Sequence, residues 1–183
     1  MAYDRLAFIY RETSRLDEAI ATLESASRAG ATDAASLATL GGYLQEANRF
    51  DRSVAVLEAA LKLNPSQIDA YEKLGVTCTR MGRFGDAERM FRQVLSFAPN
   101  SATTYNNLGS LFLSQHRDAN AIDALSKAVE IDPGLANAHN GLGVAYARQG
   151  DTKRAVDEWQ RALALRPDLV DARDNLERIR AQK

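Results

Sequence analysis

Residues 68–101 read IDAYEKLGVTCTRMGRFGDAERMFRQVLSFAPNS, and this stretch decides the fold. Its first half places Tyr71, Leu74, Gly75 and Cys78 at i, i+3, i+4 and i+7, which is one stripe of an α-helix. Its second half places Ala87, Phe91, Val94 and Leu95 on another such stripe. Between them, Gly82 suits the left-handed end of the first helix and Asp86 suits the start of the second. Pro99 closes the unit, because proline cannot continue a helix, and Asn100 or Ser101 can cap the helix that follows. The stretch predicts a helix–turn–helix hairpin.

The hairpin recurs. Pro65, Pro99, Pro133 and Pro167 stand 34 residues apart, as do Gly41, Gly75, Gly109 and Gly143 and the leucine before each. A fixed period of this length means stacked supersecondary units. The other first-helix stripes are Tyr3/Leu6/Ala7/Tyr10, Leu37/Leu40/Gly41/Leu44, Tyr105/Leu108/Gly109/Phe112 and His139/Leu142/Gly143/Tyr146. The other second-helix stripes are Ala19/Leu23/Ala26, Ser53/Leu57/Ala60, Ala121/Leu125/Ala128 and Ala155/Trp159/Ala162. They predict an all-α chain, one array over 1–183, with hairpins at 1–33, 34–67, 68–101, 102–135 and 136–169. A capping helix is expected over 170–183, where Val170, Leu176 and Ile179 cover the apolar edge of the fifth hairpin. A glycine inside a helix costs about 1 kcal/mol relative to alanine, so four at one register position need a packing reason. Small residues recur in the second helix at Ser53, Ala87, Ala121 and Ala155. The expectation is that small faces small and the helix axes approach closely.

The bulk numbers narrow the function. A net charge of -1 argues against nucleic acid, which needs a basic face to neutralise phosphates. The single cysteine, Cys78, excludes an internal disulfide. No run approaches the ~20 apolar residues of a membrane span, and the first residues lack the basic flank and apolar run of a signal peptide. These features favour the cytoplasm, or the periplasm if the chain is a fragment.

The pattern Tyr/Leu-x-x-Leu-Gly-x-x-Tyr, followed by Ala, then an aromatic residue or Leu, then Ala and Pro, resembles the tetratricopeptide repeat. Hairpin five is close to that pattern, with Leu142, Gly143, Tyr146, Ala155, Trp159, Ala162 and Pro167. Hairpin one departs most, with Ala7 in place of glycine and Ala31 in place of proline, so that Gly30 is expected to end its second helix. The resemblance implies a right-handed superhelical solenoid whose first helices line a concave groove. It also implies binding of peptides or partner helices in that groove.

Helical geometry alone gives the free face of each first helix, opposite the packed stripe. The resemblance puts that face in the groove. The expected peptide-binding residues are Glu72, Lys73, Val76 and Arg80 in hairpin three and Thr103, Asn106, Asn107 and Ser110 in hairpin four. Hairpin five adds Asn137, Asn140, Val144 and Arg148. An asparagine amide donates and accepts at once, so an asparagine-rich face can clamp the backbone of an extended segment with little regard to its sequence. The Lys/Asn/Asn/Lys/Arg clamp with which one tetratricopeptide subclass holds a C-terminal carboxylate is not reproduced.

Nothing in the pattern assembles a nucleophile, a base and an electrophilic hole, so no catalytic residue, metal or cofactor is expected. Cys78 falls on a packed stripe as a buried thiol. His139 takes the place of Tyr or Leu and is expected as a packed ring with one hydrogen bond. His116 falls in a turn. Two histidines without further ligands do not make a metal site. The leading expectation is an interaction scaffold for another protein or peptide. The alternatives are a regulatory or substrate-recruiting segment of a larger enzyme and a self-association module. Hairpin one exposes apolar groups such as Ile9 at its outer edge, which suggests further repeats, a partner or a second copy there.

Overall fold

The structure is a computed structural model, and it describes residues 2–181. Among these residues the chain is eleven α-helices with no strand. It divides into two compact units, Met1–Phe97 and Ala98–Lys183. The first holds the hairpins α1 (Ala2–Glu12) with α2 (Leu16–Arg28), α3 (Ala34–Glu46) with α4 (Phe50–Leu63), and α5 (Ile68–Arg80) with α6 (Phe84–Phe97). The second holds α7 (Ala102–Ser114) with α8 (Asp118–Ile131), α9 (Ala136–Arg148) with α10 (Thr152–Leu165), and α11 (Val170–Arg180). In α11, Ala172 and Leu176 are buried against Ala155, Trp159 and Ala162 of α10. Residues 182 and 183 of the expected capping segment lie outside the described residues, as does Met1.

Every hairpin turns in the same way. The N–H of Arg15, Arg49, Arg83, Arg117 and Asp151 each donates to the carbonyl five residues earlier at 2.8–2.9 Å. That bond is the long arm of a Schellman turn, and it needs a left-handed residue just before the donor. That residue is Ser14, Asn48, Gly82, His116 and Gly150 in turn, with φ between 56° and 83°. Two of the five are glycines; at the other three an L side chain accepts the strain. Because the turn finishes at Arg83, α6 begins at Phe84, two residues before the expected start. Asp86 therefore lies within the first turn, where its carboxylate accepts from Arg83 Nε at 2.8 Å. That bond holds the Asp86 carboxyl below the usual range. True carboxylate N-caps occur at Asp33, which accepts from the Ser36 N–H, and at Asp151, which accepts from the Arg154 N–H.

The four phased glycines are seats for large side chains. A Cβ at Gly41, Gly75, Gly109 or Gly143 would come within 2.3–2.6 Å of Leu57, Phe91, Leu125 or Trp159 respectively. Each of those partners is buried. The expected pairing of small on small is thus replaced by hydrogen against a bulky ring or branch, one helical turn beyond the small residue. The small position has its own use in hairpin two, where Ser53 Oγ donates to the Gly41 carbonyl at 2.8 Å. Trp159 sits so closely on Gly143 that its Nε1–H is buried without a hydrogen-bond partner.

Cys78 is buried, and burial pushes its thiol pKa up, as suits an inert packing residue. His139 is buried too, with two hydrogen bonds in place of the one expected. Nδ1 lies 2.6 Å from Glu158 Oε2 and Nε2 lies 3.1 Å from the Pro133 carbonyl. These contacts tie α9 to α10 and to the turn before α9.

Candidate functional site

The free faces of the first helices form two separate strips, one in each unit. In Met1–Phe97 the strip runs over α3 and α5. Small residues Ala38 and Gly42 leave α3 low there, and Lys73 of α5 fills the space. A Cβ on Gly42 would lie 2.7 Å from Lys73 Cε. The Lys73 ammonium pairs with Asp69 one turn away. Arg80 reaches back to α3, where Nη1 donates to the Gln45 carbonyl at 3.4 Å, and its guanidinium stands 5.8 Å from the centre of the Phe50 ring. Val76 and Arg80, with Gln45, Glu46 and Asn48, line a cleft of about 500 Å³. Glu72 is half-buried and engaged.

In Ala98–Lys183 the strip runs over α7 and α9. Thr103 and Ser110 are exposed, while Asn106, Asn107 and Asn140 are partly buried. Asn137 accepts from Arg166 through its amide oxygen. Val144 packs against the Trp159 core. Arg148 repeats the backward reach of Arg80, since its Nη1 donates to the Leu113 carbonyl at 2.7 Å and to Asp118 at 3.2 Å. Arg148 and Arg80 are therefore tied to the preceding hairpin, each adding a second donor to a helix C-terminal carbonyl that also accepts from the turn N–H of His116 or Asn48. Sequence reasoning placed both on the free face but missed this attachment, because it depends on how far a long side chain reaches across the stack.

Asn106 and Asn140 stand one repeat apart, and the Oδ1 atoms of both are buried without a hydrogen-bond partner. Buried side-chain acceptors are nearly always satisfied, and an orphan costs about 1–3 kcal/mol. The 34-residue step from 106 to 140 is the signal that pairs these two, in preference to Asn107 with Asn140. Ser110 follows one turn after Asn106 on α7, and Val144 one turn after Asn140 on α9. At Gly141 a Cβ would press on Leu125 at 2.9 Å, so α9 lies close over its neighbours at this point. Among the described residues no cluster of three or more His, Cys, Asp or Glu could hold a metal ion. No described helix is long and apolar enough to cross a membrane.

Sequence profiles of the tetratricopeptide repeat match residues 2–29, 44–110 and 136–169, and a further TPR repeat profile matches residues 109–150. The chain belongs to the tetratricopeptide repeat family. No curated protein matches it by sequence. Solved structures show the same fold. The structure of MamA from Desulfovibrio magneticus RS-1, from residue 41 to its end, is 24% identical with a TM-score of 0.80 over 92% of this chain and 95% of that one. YrrB, described as a TPR protein with an unusual peptide-binding site, is 19% identical with a TM-score of 0.71 over 93% of this chain and 88% of that one. A chain in the Cut9–Hcn1 assembly of the APC/C is 21% identical with a TM-score of 0.83, over 97% of this chain and 35% of that one. This member of the tetratricopeptide repeat family is therefore an all-α array of five helix hairpins with a closing helix.

Proposed function

We propose that this chain is a protein-interaction scaffold that holds an extended segment of another protein against the α7–α9 strip. The observation that carries the reading is the pair of buried, unpartnered amide oxygens at Asn106 and Asn140. An extended peptide carries a backbone N–H at every residue other than proline, and two of them can satisfy these acceptors, one repeat apart, once the Asn106 and Asn140 side chains turn their buried oxygens outward. Thr103 and Ser110 add hydroxyls that donate or accept, and Asn107 adds a further amide. The strip is close to neutral, so it recognises main chain more than charge. The described YrrB peptide-binding site lends the family setting to this reading.

The test is affinity selection of random dodecapeptides on the protein, followed by measurement of the selected peptides against variants. Asn106→Ala with Asn140→Ala should weaken them about tenfold, the two hydrogen bonds together being worth about 1.4 kcal/mol, and should leave the helical content unchanged. Equal affinity in that double variant would remove the α7–α9 strip as the site.

A further inference from the structure

Helix α11 stands where the first helix of a further hairpin would stand. Ala172 and Leu176 lie 34 residues after Ala138 and Leu142 of α9, and all four are buried. The free face of α11 therefore continues the α7–α9 strip within the same unit. On that face Asp171 follows Asn137, and Asp174 follows Asn140, at the repeat step. The strip thus passes from hydroxyls and amides on α7, through amides on α9, to two carboxylates one turn apart on α11. Both aspartates are exposed, and among the described residues neither has a hydrogen bond or an ion pair through its side chain. The helix dipole accounts for Asp171, which lies in the first turn, but the effect falls off before Asp174.

The other strip shows what belongs beside these positions. Asp69 and Glu72 of α5 occupy the same register as Asp171 and Asp174, three repeats earlier. There the chain supplies its own cation. The Lys73 alkyl chain lies over Gly42 of the preceding first helix, and its ammonium pairs with Asp69; Glu72 is engaged as well. On α11 the place of Lys73 is taken by Asn175, whose amide oxygen accepts from Arg178 at 2.7 Å. Arg173 donates to the Pro167 carbonyl at 2.7 Å, and Arg166 donates to Asn137. These bases are committed elsewhere, so the carboxylates that α5 neutralises internally are left open on α11.

We propose that the extended segment held on the α7–α9 strip carries a lysine or arginine at its α11 end, and that Asp171 and Asp174 together receive this cation. The inference rests on the α7–α9 reading and adds a charge rule to it: main-chain recognition over two helices, then selection of a base at the third. Packed helices lie about 8–10 Å apart and an extended chain rises about 3.3 Å per residue, so the base stands about three residues beyond the one that meets Asn140.

The probes are the dodecapeptides selected on the protein, fluorescein-labelled, each paired with a copy whose base is changed to glutamine. The selected sequences should share a base toward one end. Fluorescence anisotropy at low salt should show Asp171→Asn with Asp174→Asn weakening the basic peptides about threefold, the scale of an exposed ion pair, while the glutamine copies bind both proteins alike. Asp123→Asn with Asp157→Asn removes the same charge from exposed positions on α8 and α10 and should change neither affinity. A loss in the Asn106 and Asn140 double variant with none in the Asp171 and Asp174 variant would overturn this inference and leave the α7–α9 reading in place. Unchanged affinity in both variants would remove both. Selected sequences without a shared base would overturn the inference too. So would an equal loss in the two aspartate variants, because the general field of the protein would then select the base.

Discussion

The α3–α5 strip and the α7–α9 strip occupy the same register and differ in what they have left to offer. On the first, Lys73 lies over Gly42 and pairs with Asp69, and Arg80 is tied to Gln45. Its polar groups are already matched. On the second, Asn106 and Asn140 keep buried acceptors unmatched. The repeat sets the helical frame of both strips. The side chains at the same positions decide whether the face is closed on itself or open to another molecule.

The largest effect should be indifferent to the strips. Gly41→Leu in α3 and Gly109→Leu in α7 each drive a side chain into a seat filled by Leu57 or Leu125, and overpacking of this kind costs about 3 kcal/mol. Thermal melts of both variants should fall steeply; an unchanged midpoint in either would undo the account of the phased glycines. Next comes binding itself. Lys73→Ala should leave the selected peptides' affinity within about twofold, whereas the Asn106 and Asn140 substitutions lose about tenfold. If Lys73→Ala lost as much, the contrast between the strips would fail.

The caps give a smaller and chemically sharper difference. Helix α3 is capped by a carboxylate, Asp33, and α7 by a hydroxyl, Ser101. Either residue changed to Ala should cost about 1 kcal/mol near neutral pH. The Ser36 backbone N–H holds the Asp33 carboxyl below its usual 3.8. A depressed folded-state pKa means stability that is present above the unfolded value and lost as pH falls through the folded one. The penalty of Asp33→Ala should therefore shrink below about pH 4, and that of Ser101→Ala should persist. Denaturant titrations at two pH values check this.

The smallest effect lies in the turns. His116 and Asn48 share the left-handed conformation, but asparagine tolerates it better. His116→Gly should raise stability by about 0.5 kcal/mol, the relief of left-handed strain less the entropy that glycine adds to the unfolded chain, and Asn48→Gly by less. Equal gains would show that the two turns are strained alike.

The helix faces were legible because proline and glycine recur at one spacing while Leu, Tyr and Phe keep to one stripe. The common turn was half legible: Gly82 and Gly150 announce a left-handed residue, whereas Ser14, Asn48 and His116 do so only once the backbone bond to the carbonyl five residues earlier is seen. The glycine seats were misread because a period aligns repeats without saying which residue of the facing helix each glycine meets. At the candidate site, helical geometry put Asn106 and Asn140 on the free face. Their unmatched oxygens needed coordinates, as did the backward reach of Arg80 and Arg148, since neither follows from spacing alone.

Trp159 is the chain's one tryptophan, and it lies within Ala98–Lys183. Its emission accordingly reports on that unit alone, while far-ultraviolet circular dichroism averages over every helix. Recorded together during denaturation, the two signals act as a built-in pair of gauges. Coincident curves mean that the array melts as one cooperative body, and displaced curves mean that one end lets go first.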